Sequence, residues 1–321
     1  MFIITRSRLA RALFATLLLA LASGMASAGP KAYVGNFKDN TVSVIDTVAD
    51  KVVATIPVAA GPHGIVISPD GRWVYVDGDE SSMVSVIDTL TDSVARTIEV
   101  GQGPHGNRLT ADGKMLLVAV NGEDRIAFID TATQAVVATA NVAKPHTVAI
   151  SPNGKLAYVA SQAPGHFALA IVDLATHAVV RTIPLAKPPR DLEFGHDGKA
   201  LYFTEAGINA VQVLDPTSDK IVAEISTGVS PHIADFFPNT TLGIVVVQGP
   251  SELLMFDPST NKPVRSIRVG KQPHWVAVSD DGKTAYVANE GENDVSVLNL
   301  SSGKMTTIAV GNAPRKVAIQ P

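Results

Sequence analysis

The chain has 321 residues, of which 46% are hydrophobic and only 5% aromatic, with 26 basic against 30 acidic side chains. There is no cysteine, which excludes disulfides, thiolate metal sites, C-x-x-C-H haem attachment and cysteine nucleophiles. His, Asp and Glu remain as metal ligands, and the excess of Val, Ile, Thr and Ala points to strands packed on β-branched side chains rather than on rings.

The first 28 residues stand apart. Arg6, Arg8 and Arg11 precede an apolar run from Leu13 to Ala22, and Ala26-Ser27-Ala28 supplies the small-x-small pattern of a cleavage site. Residues 1–28 are therefore expected to be a Sec-type signal peptide, cleaved after Ala28, with export to the periplasm or the medium. The leader carries three Arg and no acid, so its removal takes the net charge from −4 to −7. Such a chain has no general attraction to nucleic acid or anionic lipid. No later segment is apolar enough to be a transmembrane span.

From Gly29 onward, short β segments alternate with turn signals. Lys31–Gly35, Thr41–Ile45 and Lys51–Ile56 are followed by Gly61-Pro62, then His63–Ile67, then Pro69-Asp70-Gly71. The same order recurs along the chain. Turn signals at Gly71, Gly113, Gly154, Gly198, Thr240 and Gly282 are spaced 42, 41, 44, 42 and 42. A Pro followed by His or Arg begins at Pro62, Pro104, Pro145, Pro189, Pro231, Pro273 and Pro314. Strands end in Asp at Asp46, Asp88, Asp130, Asp173, Asp215 and Asp257, with Asn299 in the last copy. Seven repeats of four antiparallel strands predict an all-β, seven-bladed β-propeller over residues 29–321. The mature chain begins with a second strand and ends with an unpartnered first strand, Arg315–Ile319. The C-terminal strand should therefore complete the N-terminal blade and close the ring.

The phrases Ala32-Tyr33-Val34-Gly35-Asn36, Asn40-Thr41-Val42-Ser43-Val44-Ile45-Asp46, Val52-Val53-Ala54-Thr55-Ile56-Pro57-Val58 and Tyr286-Val287-Ala288-Asn289 resemble the YVTN-family β-propeller repeat. The resemblance covers essentially the whole mature chain. It implies the propeller fold and leaves function open, since proteins with this repeat range from surface-layer components to periplasmic binding proteins and propellers of redox pathways.

The candidate site is the residue after each Pro: His63, His105, His146, Arg190, His232, His274 and Arg315. Five of the eight His share one structural position, which a seven-fold ring brings toward one axis. Loops starting near Asn36, Asp77, Asn121, Ser161, Glu205, Gln248 and Asn289 should share that face, and the Pro-Asp-Gly turns the other. Imidazoles in a ring suit copper or zinc, with His63, His105, His146, His232 and His274 as the metal ligands. Arg190 and Arg315 instead suit an anion gripped bidentately. Alternation counts against a metal ring, because His63 falls in phase with Ile65 and Ile67 and should lean with them between blades. Three residues further on, Arg108, Glu193 and Asp235 either line the channel or satisfy one another. His166, in the longest repeat, is the one off-pattern His expected to reach the His face, His177 and His196 should lie on outer or opposite turns, and Trp73 and Trp275 read as packing residues.

The leading expectation is a monomeric, exported propeller that binds a small anionic ligand or a protein partner through the His/Arg face and performs no chemistry. The alternative is a copper or zinc enzyme of redox or lyase/lactonase type using the His ring. Whether the chain is an enzyme stays open at this stage. Single-stranded nucleic acid is disfavoured by the charge and the scarcity of aromatics.

Overall fold

The computed structural model describes residues 29–238 and 241–321. The signal-peptide reading, and Asn239 and Thr240 of the sixth turn, lie outside the described residues. The rest is a ring of seven four-stranded antiparallel sheets, with one short 3-10 turn at Asn121–Glu123. In blade 1 the strands run, from the axis outward, Pro314–Ile319, Lys31–Asn36, Thr41–Asp46 and Lys51–Pro57. The innermost strands of blades 2 to 7 are Pro62–Ile67, Pro104–Leu109, Pro145–Ile150, Pro189–Phe194, Pro231–Phe236 and Pro273–Val278.

Closure is as the chain ends require. Ala32 opposes Ile319, Tyr33 opposes Ala318 and Val34 opposes Val317. Gln320 locks the seam: its Oε1 accepts from the Lys31 N–H at 3.0 Å, and its Nε2 donates to the Gly71 carbonyl in blade 2 at 2.8 Å.

Side-chain alternation builds the core between blades. In the second strand of blade 3, Leu116, Val118 and Val120 pack on blade 2, while Leu117 and Ala119 pack on blade 4. Both faces of a middle strand are thus covered, which is why these strands are apolar at nearly every position. One such cluster fills each of the seven interfaces, the last joining Tyr286 and Val295 of blade 7 to Val34 and Val317 of blade 1. Burying one of these side chains contributes roughly 1.5–3 kcal/mol. β-Branched residues dominate, yet the largest fully buried side chains are rings: Tyr33, Tyr75 and Tyr158, with Phe128, Phe203 and Phe256. The few aromatics are concentrated where the wedge between blades is thick enough to need them.

The turns follow from local chemistry. Asp46 Oδ1 accepts the Val48 and Ala49 N–H groups at 2.9 Å each, and Asp50 takes φ +48° to re-enter the outer strand. Gly71 at φ +70° finishes the Pro-Asp-Gly turn. Among the described residues, no helix is long and apolar enough to cross a membrane.

Deleting residues 313–321 should lower the melting midpoint by well over ~10 °C, because several kcal/mol of inner-strand packing and all edge pairing of Lys31–Asn36 are lost. Differential scanning calorimetry checks this, and an unchanged midpoint would contradict the closure.

Candidate functional site

Each innermost strand carries the same irregularity just after its Pro. Pro62 opposes Gly78, but Ile65 opposes Val76, so three steps on the inner strand match two on its neighbour. All seven inner strands show this one-residue slip. It is a β-bulge, and it resets the alternation. His63 is therefore not in phase with Ile65, which corrects the expectation that the imidazoles lean between blades with the apolar residues.

The five imidazoles meet one another instead. Ring centroids lie 3.9 Å apart for His63 and His105, 4.1 Å for His105 and His146, and 4.3 Å for His232 and His274. His63 and His274 meet edge to face at 5.4 Å, past the intervening Arg315. The rings form a girdle at the mouth of the channel on the face predicted for them. The loops after the second strands share that face, since Asp79, Asn121, Gln162 and Glu290 all bond to residues of the Pro-His or Pro-Arg segments.

The girdle has a defined tautomer. Nδ1 of His63 donates to the His105 carbonyl at 3.1 Å, Nδ1 of His146 to the Arg190 carbonyl at 2.8 Å and Nδ1 of His274 to the Arg315 carbonyl at 3.1 Å. In each case the acceptor is the same position one blade on. His105 departs: its Nδ1 faces the Asp79 carboxylate at 3.1 Å. A carbonyl or carboxylate only accepts, so Nδ1 carries a hydrogen in each of these rings. His105 Nε2 is buried without a partner among the described residues. His232 Nδ1 is likewise buried without a partner among the described residues. Burial, reinforced by the neighbouring imidazoles and Arg side chains, holds His63, His146 and His274 well below the usual imidazole value and His232 at about 3. These four are neutral imidazoles at neutral pH.

The two arginines differ. Arg315 is spent within the protein, 3.3 Å from Glu290 Oε1 and stacked 3.6 Å over the Phe37 ring. Arg190 donates from Nη1 to Ser230 Oγ at 3.1 Å, and among the described residues no carboxylate lies within 4.0 Å of it. His166 is exposed on its loop. His177 packs on Phe128, and His196 bonds the Phe237 carbonyl near the opposite face.

Behind the girdle lies a layer of charge. Arg108 and Glu193 pair directly across the channel, so these two both line it and satisfy each other. Asp235 does not join that bond; its Oδ1 accepts its neighbour Phe236 N–H at 2.7 Å. Sequence reasoning missed Lys316, Asp191, Asn107 and Asp77. Lys316 and Asp191 stand one residue past the His position, which the bulge turns toward the axis together with the position three past it. Counting inward positions from the bulge would have found both. Lys316 Nζ sits 4.0 Å from the centre of the Trp275 ring, so Trp275 lines the channel as well as packing. Asp77 takes a hydrogen bond from Asn107 Nδ2 at 2.9 Å, and burial pushes its carboxyl up to about 8. A small, largely enclosed cavity of about 30 Å³, the room of a water molecule, lies among Asn107, Arg108, Asp191, Glu193, Asp235 and Lys316.

The donor set of the girdle has the chemistry copper or zinc prefers. Its geometry is another matter: among the described residues, no three His, Asp or Glu side chains are placed to share one ion.

The profile of the YNCE-like beta-propeller family matches residues 22–110, less than a third of the chain. With the seven blades, this match fits a YVTN-type β-propeller repeat protein. No curated protein matches the chain. Among solved structures it is similar to the Kuenenia stuttgartiensis hydrazine synthase, with TM-score 0.78 and 22% identity over 89% of this chain and 99% of that one. It is also similar to the dihydro-heme d1 dehydrogenase NirN in complex with DHE, with TM-score 0.67 and 16% identity over 90% and 74%. A functionally unknown protein from Desulfotomaculum acetoxidans gives 0.76 and 15% over 90% and 98%. At these identities the likeness is one of fold.

Two measurements test the electrostatics. An imidazole whose native value is depressed takes up a proton on unfolding below pH ~6.5, so its contribution to stability is present above that pH and is lost as the pH falls toward the native value. Asp77 and Asp191, raised by burial, act in the opposite sense, so the test is a difference. Between pH 6 and 4, His232→Phe should flatten the pH slope of the unfolding free energy by about 1.4 kcal/mol per unit. Urea titrations at several pH values read this, and equal slopes refute the neutral girdle. Arg108→Met should cost roughly 1–3 kcal/mol by stranding Glu193, less than a fully buried pair because Arg108 is partly exposed. The double variant with Glu193→Leu should regain most of it.

Proposed function

We propose that this protein is an exported binding propeller whose His/Arg face recognises an anionic group, on a small ligand or on a protein partner, without acting on it chemically. Arg190 carries this reading. It is a half-buried cation at the channel mouth whose side chain, among the described residues, donates to a neutral hydroxyl and has no carboxylate within 4.0 Å. Burial lowers its pKa slightly, a cost that a bound anion offsets. A guanidinium so placed offers its remaining N–H groups to a carboxylate, phosphate or other oxyanion. The neutral imidazoles of His146 and His232 flank it. The leader-like first 28 residues support a site of action outside the cytoplasm.

A second reading is favoured by one observation, the common tautomer that leaves Nε2 lone pairs on the girdle. It is a copper or zinc site formed by small movements of His63, His105, His146, His232 and His274. The absence of a ready three-ligand group among the described residues weighs against it. The hydrazine synthase and NirN likenesses support the propeller as a scaffold in redox settings and carry no ligand to this chain.

A thermal-shift panel of phosphate, sulfate, acetate and citrate tests the first reading. At least one anion should raise the midpoint, and Arg190→Ala should weaken its binding tenfold or more. Retained binding in that variant sinks the assignment. Metal content by mass spectrometry, with His105→Ala and His232→Ala as controls, tests the second. About one copper or zinc per chain, lost in both variants, moves the metal reading ahead.

A further inference from the structure

The channel has a second mouth. On the face of the Pro-Asp-Gly turns it widens into a cavity of about 370 Å³, within the size range of small-molecule sites. Its wall is apolar, from Ile65, Val66, Phe236, Val278 and Ala318 among others, contributed by five of the seven inner strands and the turns that follow them. Its floor is polar. Asn107, Arg108, Asp235, Trp275 and Lys316 line both this cavity and the small closed one beneath the girdle, so the floor is the charged layer already described.

The sign of that floor is decided by who faces the opening. Two cations and one carboxylate, Arg108, Lys316 and Asp235, line the open cavity. Asp191 and Glu193 line only the closed cavity. Glu193 is held by Arg108, and Asp235 by the backbone N–H of Phe236. Lys316 has no such anchor: among the described residues its ammonium donates no hydrogen bond and has no carboxylate within 4.0 Å, and it rests on the Trp275 ring. Arg108 uses Nη2 on Glu193 and is otherwise open to the cavity. Asn107 Oδ1 adds a buried acceptor without a partner. The free donors are cationic, the walls are apolar and one wall is an indole. Burial, with the nearby Arg108, lowers Lys316 to about 8 against the opposing pull of Asp191, Asp77 and Asp235, none of which is within ion-pair distance among the described residues.

We propose that this turn-face funnel is a binding site for a small organic carboxylate with a planar or aliphatic apolar body. The carboxylate meets Lys316 and Arg108 at the floor, and the body lies against Trp275 and the aliphatic wall. This site is distinct from the His/Arg face, from which it is separated by the stacked imidazoles.

Trp275 supplies the readout. In a Trp73→Phe background, intrinsic fluorescence is titrated with benzoate, phenylacetate and hexanoate, and with benzylamine as the cation of matched shape. Saturable quenching or a blue shift is expected with a carboxylate and not with benzylamine. Lys316→Gln should weaken the response at least tenfold, and Lys316→Arg should keep most of it. Ala318→Phe, which fills the funnel without touching the charge, should abolish binding even if Lys316→Gln proves poorly folded. Arg190→Ala should leave it unchanged, which separates this site from the His/Arg face. No saturable response to any of the three carboxylates up to 10 mM (about 2.7 kcal/mol of binding) overturns the proposal. So does preferential binding of benzylamine, or carboxylate binding lost in Arg190→Ala but kept in Lys316→Gln.

Discussion

The β-bulge that follows the Pro of every inner strand is the constraint on which the rest of the channel depends. Without it, strict alternation would send the His position between blades with Ile65 and its counterparts. One extra residue lets the His or Arg and the residue after it both turn toward the axis. The girdle, the carbonyl-to-imidazole relay around the ring and the charged layer beneath it all follow. The close approach also limits side chains. A Cβ on Gly106 would stand 2.5 Å from the His146 carbonyl oxygen, so blade 3 keeps glycine there while the cationic and acidic residues appear in blades 1 and 5.

The relay explains why so many imidazoles tolerate one another at such short range. His63, His146 and His274 each give the Nδ1 hydrogen to a backbone carbonyl of the next blade, so these neutral rings have their donors satisfied and bring no charge to the stack. Backbone carbonyls of the next blade thereby set the tautomer, and the repeat copies this arrangement because it copies the strand.

Two kinds of cation divide the channel. Arg315 is consumed by Glu290 and Phe37, which makes it part of the framework, whereas Arg108 gives Nη2 to Glu193 and still lines the turn-face funnel. Arg190 and Lys316 are held by a hydroxyl and a ring face instead. Among the described residues neither cation has a carboxylate within 4.0 Å, although Asp191, Asp77 and Asp235 act on Lys316 from further off, which leaves both able to take an incoming anion. The two mouths also differ in what surrounds the charge: polar loops at one, aliphatic wall and indole at the other.

Blade number, strand order and ring closure were legible in the residues because they rest on local signals: the spacing from Gly71 to Gly282, the period-2 strands, and a chain that starts with a second strand and ends with a first. The convergence of the Pro-His residues was legible for the same reason, as one position repeated seven times. The direction of each side chain was not. A bulge leaves no clear mark in a strand of six residues, and the phase of His63 against Ile65 inverts with it. Nor did the sequence separate Arg190 from Arg315, which occupy equivalent positions. Their difference lies in Ser230 and Glu290, residues 40 and 25 positions away. Lys316 reads in sequence as one more charge near the C-terminus, and only ring closure places it beside Trp275 of the preceding blade. Repetition along the chain determined the architecture by itself. Which charges are paired, and which are left facing an opening, was decided by contacts between blades, because those partners are brought together only by the closed ring.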